Sequence, residues 1–445
     1  MMDDASEVAG VREAPADAKG LVRALGPGLI ISASIVGSGE LIVTTKLGAE
    51  TGFALLWFIL AGCFLKVFLQ IEWGRYVLGT GRSTLQALQR IPGPRWGFSW
   101  VNWCWLAMFV ATFFQVAGML GGASSLFVEM GAAGNALGWA ALITLSCVIL
   151  LVMGRYGLIE KVATVMVAGF TLFTMASVLG LGTTAFAISS TDLAEGFRFS
   201  FPDELAVAFA AFGVIGVGAS ELLYYPYWCL EKGYARSLGR FEPGEDWERR
   251  ARGWLRVLQW DAWVSAAIYT LSTVAFYLLG AAILHRQGLL VENEAMIPTL
   301  ARLYTEVFGD WAYWVFGVGA FAVLFSTIFI ATASNTRLVA DAAGILGNAR
   351  GGGARLRWIK AAAIVLPLLY FVLNQAVAAP VSMVILGSVA QGAMLPFLAW
   401  ALWFLQKEIP ETLRGGRFWL CALALSTAAC SLLGGWQLWR VLGGS

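Results

Sequence analysis

Histidine and charge are what this chain has least of. A single histidine, His285, stands beside Arg286 in a polar connection, so no histidine is available as a metal ligand or proton carrier inside an apolar segment. Charged residues make up 13% of the 445 positions and hydrophobic residues 59%, with a mean hydropathy of +0.72. That balance excludes an ordinary soluble domain. The six cysteines (Cys63, Cys104, Cys147, Cys229, Cys421, Cys430) include no CxxC pair, which excludes a zinc ribbon and a disulfide framework and leaves buried thiols. No nucleophile motif or catalytic metal motif stands out, so the chain does not read as an enzyme, and no cofactor or nucleic-acid partner is expected. The first twenty residues lack the basic start and apolar core of a signal peptide. With Asp3, Asp4, Glu7, Glu13 and Asp17 they read as a disordered cytoplasmic tail over 1–20.

What the chain has in abundance is apolar runs near twenty residues, the length of a membrane span. They predict an all-α polytopic membrane protein of about eleven helices, near 24–46, 53–78, 100–127, 136–153, 159–187, 204–230, 254–283, 309–334, 359–378, 381–405 and 417–440. Residues 21–445 then form one transmembrane domain, with the lipid bilayer as its surroundings. Connections after even-numbered helices carry most of the Arg and Lys, from Arg82, Arg90 and Arg95 to Arg355, Arg357, Lys360, Lys407 and Arg414. Those after odd-numbered helices carry few, together with Asp192, Glu195, Glu292, Glu294 and Asp310. The basic side faces the cytoplasm, which puts the N-terminus inside and the C-terminus outside an inner or plasma membrane. The polar stretch Phe241–Arg252 reads as a cytosolic surface connection.

The most informative feature is an internal echo. Val-Gly-Ser-Gly-Glu-Leu at Val36–Leu41 returns as Val-Gly-Ala-Ser-Glu-Leu at Val217–Leu222, in helices one and six. Gly-rich interruptions at matching places in two halves point to a transporter's central site. Five helices per half run in opposite senses, so the repeats (about 24–187 and 204–405) are inverted and helix eleven (417–440) is an addition. This arrangement is the LeuT-like one, with helices one and six broken.

Leu25-Gly-Pro-Gly-Leu29, Leu69-Gln70, Thr80-Gly81 and Leu395-Pro-Phe397 resemble the Nramp divalent-metal transporter family in order and spacing. The resemblance covers most of the chain and implies secondary transport of a divalent metal. It also implies departures. Where the family has Asp-Pro-Gly-Asn in helix one, with Asp and Asn as ligands, this chain has Gly37, Ser38, Gly39 and Glu40. Where it has Met-Pro-His in helix six, this chain has Ala219, Ser220 and Glu221. The family's helix-three acids, which move protons, correspond here to Thr112 and Gln115.

Two carboxylates remain, each expected in the first turn of a half-helix, where the dipole favours the ionised form. Buried together they require a counter-ion. A divalent cation is that counter-ion and the substrate, held by Glu40 and Glu221 with Gly37, Ser38, Gly218 and Ser220 completing an all-oxygen shell. Gly37 and Ala219 leave room for retained water. Oxygen ligands favour Mg²⁺ or Mn²⁺ over softer metals, and the missing acids predict weak or absent proton coupling. Caps and first-turn acids are the plainer reading of the same residues.

Tyr224, Tyr225, Tyr227 and Trp228 are either packing or a cation–π cage. Ser326, Thr327, Thr332, Ser334 and Asn335 in helix eight, and Ser388 and Gln391 in helix ten, either line a wet path or bond between helices. Lys66, Glu72 and Arg75 in helix two are snorkelling groups or a gate network, with Asp261 and Asp341 as candidate partners. A second reading keeps the fold and makes the substrate an organic cation with Na⁺ coupling. A third is a membrane sensor or scaffold that moves nothing.

Overall fold

The computed structural model describes residues 10–153, 156–200, 206–293, 295–349, 351–441 and 443, and the side chain of Ser38 falls outside that description. Eleven helical units follow one another among the described residues. Span 1 runs through Pro27–Ile35, Val36–Thr44 and Thr45–Thr51; span 2 is Leu56–Thr80, span 3 Trp100–Glu129, span 4 Ala136–Val152 and span 5 Tyr156–Gly180. Span 6 is in two pieces, Ala206–Phe212 and Ala219–Lys232. Span 7 is Glu245–Leu279 continued by Gly280–His285, span 8 Ala312–Ile345, span 9 Gly352–Val377, span 10 Pro380–Leu405 and span 11 Arg417–Val441. Among the described residues, seven helices are long and apolar enough to cross a membrane unaided. The β-structure described is a two-residue pairing, Arg95–Trp96 with Phe98–Ser99.

Local chemistry sets the ends. Ser99 and Asn135 cap spans 3 and 4 by accepting from the amides of Asn102 and Gly138. Span 2 stops at Gly81, whose left-handed backbone (φ 64°) lets its amide close on the Val77 carbonyl. Span 7 starts earlier than its hydropathy suggests. The stretch expected as a surface connection supplies its first turns, with Glu245, Asp246 and Glu248 at the positive end of the helix. An amphipathic helix, Met296–Phe308, leads into span 8.

Residues 1–9 of the expected disordered tail lie outside the described residues. Residues 10–20 correct that expectation, because they are anchored. The Arg12 amide donates to the Ser237 carbonyl at 2.9 Å, Trp254 Nε1 donates to the Arg12 carbonyl at 2.9 Å, and Asp17 caps a short helix, Ala18–Ala24.

The irregularity expected in span 1 is present, but as a π-helical stretch over Val36–Thr44 and not as a gap. In that geometry each amide reaches one residue further back, so the backbone stays hydrogen-bonded while the helix widens. Thr44 Oγ1 adds a bond to the Gly39 carbonyl at 2.9 Å. Glu40 therefore sits inside a continuous helix, which corrects its placement in the first turn of a half-helix.

Span 1 is seated among spans 6, 7 and 8, span 3 lies along span 10, and span 11 packs on spans 2 and 10. Trp73, Tyr225, Tyr269 and Tyr277 fill the interior, while Leu145, Val365, Leu368, Phe418 and Leu432 face outward as lipid would require.

Asp261 of span 7 fixes the start of span 1. Its two carboxylate oxygens accept from the amides of Gly26 (2.8 Å) and Gly28 (2.7 Å), so it acts as the N-terminal cap that the sequence there lacks. Asp261→Ala is expected to orphan both donors, at about 1–3 kcal/mol each, and to lower the thermal midpoint of the purified protein by several degrees. An unchanged midpoint would contradict this role.

Candidate functional site

The site is built on the interruption of span 6. Gly213, Gly216 and Gly218 crowd into six residues, and Gly216 adopts φ 59°. A Cβ at Gly216 would stand 3.0 Å from the Tyr269 ring and 3.2 Å from Cys63 Sγ, so glycine is required there on both counts. The helix stops at Phe212 and restarts at Ala219, which leaves carbonyls and amides at membrane depth without helical partners.

Three other spans supply those partners. Lys66 of span 2 is fully buried and donates its ammonium to the carbonyls of Phe212, at 2.7 Å, and Ile215. The charge also lies over the Phe212 ring, 4.8 Å from its centroid. A cation at the C-terminal end of a half-helix is favoured by the dipole as well as by the bonds. Gln437 of span 11 donates to the Phe209 carbonyl. Gln391 of span 10 accepts from the Ser220 amide at 2.9 Å and donates to Gln115 of span 3 at 2.8 Å.

Glu221 stands in the first turn after the interruption, and one of its oxygens folds back over Gly218, 2.7 Å from where a Cβ would be. Ser34 of span 1 donates to its other oxygen at a long 3.5 Å. Lys66 is the cation whose field reaches it. Around Glu221 the structure thus gathers Gly218, Ala219, Ser220, Ser34 and Gln391, with Gln115 one bond further out behind Gln391 and oxygen as the donor element. Sequence reasoning missed Ser34 and Gln437. The alternation of Ser32 and Ser34 within an apolar run was the available signal for the first.

Glu40 takes its hydrogen bond from a different span. Thr273 of span 7 donates to its Oε1 at 2.7 Å. Gly37 does not open space for water, because a Cβ there would collide with Thr327 and the Val323 carbonyl of span 8. Gly39 packs on the Val214 carbonyl. Among the described residues no group of three or more His, Cys, Asp or Glu could hold a metal ion. Of the shell expected from Glu40, Glu221, Gly37, Gly218 and Ser220, Glu40 is bonded to span 7, Gly37 is closed against span 8, and Gly218 and Ser220 lie with Glu221.

The aromatic and polar candidates bond within the protein. Tyr224 donates to Asn335 at 2.7 Å, Asn335 donates to Tyr370 at 3.2 Å, and Tyr225 donates to the Leu258 carbonyl at 3.4 Å. Trp228 Nε1 donates to Ser334 at 3.1 Å, and the Arg337 guanidinium covers its ring. Thr112 and Ser388 return their hydroxyls to carbonyls of their own helices. Lys66 is not part of the network expected with Glu72 and Arg75, since it turns to span 6. Glu72 and Arg75 do pair, at 3.1 Å, and tie span 2 to Trp419 and Gln406. Asp261 caps span 1, and Asp341 lies elsewhere in a clamp at the basic end of the bundle. There it accepts from Tyr227 at 2.6 Å, from Gln86 at 3.1 Å and from Ser83. Beside it Glu408 accepts from Arg82 at 2.7 Å and Arg90 at 2.6 Å, which holds the Arg90 guanidinium above its ordinary pKa.

Lys66→Met is expected to leave the Phe212 and Ile215 carbonyls unpartnered, about 1–3 kcal/mol each, and so to loosen the interruption. Hydrogen–deuterium exchange should quicken in peptides covering 210–222, with little change at span 3. Unchanged exchange there would contradict the role given to the ammonium.

The Nramp family model, described as "natural resistance-associated macrophage protein-like", matches residues 28–440. A divalent metal cation transporter MntH of Caldanaerobacter subterraneus subsp. tengcongensis is 23% identical over 335 residues, which cover 74% of this chain and 73% of that one. A manganese transporter of Eremococcus coleocola, solved as a histidine-to-alanine mutant, superposes with a TM-score of 0.71 at 15% identity, covering 97% of this chain and 90% of that chain. Mhp1, a nucleobase-cation-symport-1 family transporter, gives 0.56 at 13% identity over 93% and 90%. With most of its length matched, this chain belongs to the Nramp family of divalent-metal transporters.

Proposed function

We propose that this protein is a secondary transporter that moves Mg²⁺ or Mn²⁺ by alternating access, with Glu221 as the charged ligand. The observation that carries this reading is the position of Glu221. It is a carboxylate at the restart of an interrupted membrane helix, bonded by Ser34, with Gln391 beside it at Gly218 and Gln115 holding Gln391. An intramembrane carboxylate in such a place is functional by default. Oxygen donors without imidazole or thioether suit a hard ion that keeps part of its water.

Thr112 and Gln115 carry no titratable group on span 3, and His285 lies at the far end of span 7 beside the Ala49 carbonyl. Both facts support transport without a coupled proton. The Asp341 and Glu408 clamps join spans 2, 6, 8 and 10 at the basic end, a place where a gate would open and close. The asymmetry of Arg and Lys supports a cytoplasmic N-terminus and an outward C-terminus. The organic-cation reading is disfavoured by the aromatic cluster, whose polar atoms are bonded to spans 7 and 8 and whose Trp228 face is occupied by Arg337.

Proteoliposomes test this directly. The wild-type protein is expected to give saturable Mg²⁺ or Mn²⁺ uptake without acidification of the lumen. Glu221→Gln should reduce it at least about tenfold, a loss of ~1.4 kcal/mol or more. Uptake unchanged in Glu221→Gln, or proton entry accompanying each ion, would contradict the respective half of the reading.

A further inference from the structure

Beside the span 6 interruption, where the Tyr269 ring packs on Gly216, three buried polar atoms on facing turns of spans 1 and 7 have no hydrogen-bond partner: Glu40 Oε2, the Tyr269 hydroxyl and Ser272 Oγ. All three residues are 0% exposed. Buried polar atoms in native proteins are nearly always partnered, so three together require an explanation. They form one group. Tyr269, Ser272 and Thr273 share a turn of span 7, three and four residues apart, and so present one face. Thr273 donates to Glu40 Oε1, Ser272 lies against the same carboxylate without a bond of acceptable geometry, and Tyr269 lies in its field. The π stretch of span 1 is what aims Glu40 at this face, and π segments inside α-helices recur at functional sites.

The charges around the group leave Glu40 without a counter-ion. Among the described residues no Lys or Arg forms an ion pair with it. Lys66, on the neighbouring face of span 2, is committed to the Phe212 and Ile215 carbonyls, and Cys63 of the same span contributes no positive charge. A carboxylate buried in apolar surroundings needs either a positive partner or a proton.

We propose that Glu40, Tyr269, Ser272 and Thr273 form a second cation site, which takes a dehydrated monovalent cation of Na⁺ size and is separate from the divalent ligands around Glu221. One carboxylate balances the single charge of such an ion and three neutral hydroxyl oxygens line a dry shell for it, whereas a hard divalent ion would need retained water to complete its coordination. Each hydroxyl can turn its hydrogen away and offer a lone pair. A proton on Glu40 would remove the charge but supply only one donor for two hydroxyls. A water molecule would partner them and leave the charge. A small cation answers all of these atoms together.

The test is binding of radioactive Na⁺ to the purified full-length protein in choline buffer free of divalent ions, so that it stands or falls apart from the divalent reading. Saturable binding, displaced by unlabelled Na⁺ and not by equal K⁺, is expected. Tyr269→Phe and Ser272→Ala should each weaken it on the order of tenfold, the effect of removing one partner of a charged group. Glu40→Gln should abolish it, and Glu221→Gln should retain it. If Glu40→Gln does not give a monodisperse protein, the two hydroxyl variants decide. Absence of saturable Na⁺ binding, equal displacement by K⁺, hydroxyl variants that bind like the wild type, or loss in Glu221→Gln with retention in Glu40→Gln would overturn the proposal.

Discussion

The contact between the Lys66 ammonium and the carbonyls of Phe212 and Ile215 is the one on which the rest of this architecture depends. An interrupted helix at membrane depth is costly because its freed backbone groups have no water to turn to. Lys66 and Gln437 remove that cost where the first half ends, and Gln391 removes it where the second half restarts. The two halves of span 6 are then free to end where they do, which places Glu221 at the positive end of the second half. The field of the same ammonium reaches Glu221 and adds to the backbone amides and Ser34 that favour its carboxylate. A fixed cation inside a site for mobile cations also limits how much positive charge the site can accept.

The two copies of the repeated string fold differently, and their flanks explain why. The copy in span 6 follows Gly213 and Gly216, so the chain has already left the helix before Gly218 is reached. The copy in span 1 follows Ile-Ile-Ser-Ala-Ser-Ile, a run that keeps the helix going. With only Gly37 and Gly39 to loosen it, the backbone widens into a π stretch and stays fully bonded. Gly37 and Gly39 are spent on close approach to Thr327 and the Val214 carbonyl, not on ligand space. One local sequence thus yields a half-helix start in one place and a reoriented carboxylate in the other.

Much of the fold was legible because hydropathy and basic-residue spacing carry it. The order of spans, the interruption near Gly218 and the first-turn position of Glu221 all follow from local composition. What was not legible depends on partners far apart in the chain. Nothing near Lys66 says that its ammonium turns to residues 212–215 and not to Glu72. Nothing near Glu40 says that Thr273 is its partner, since the two are brought together only by the packing of spans 1 and 7. The early start of span 7 was hidden by its charges, which read as a loop but serve as first-turn acids and paired bases.

In the proposed function the transported ion is held at the interruption of span 6, and by Glu221 in particular. The most direct test is an experimental structure of the protein soaked with Mn²⁺, with anomalous scattering used to locate the metal. A peak is expected in contact with Glu221 on the side facing Ser34 and Gln391, and none in contact with Glu40. A peak held by Glu40 and span 7, or a bound metal bridging both carboxylates, would contradict it.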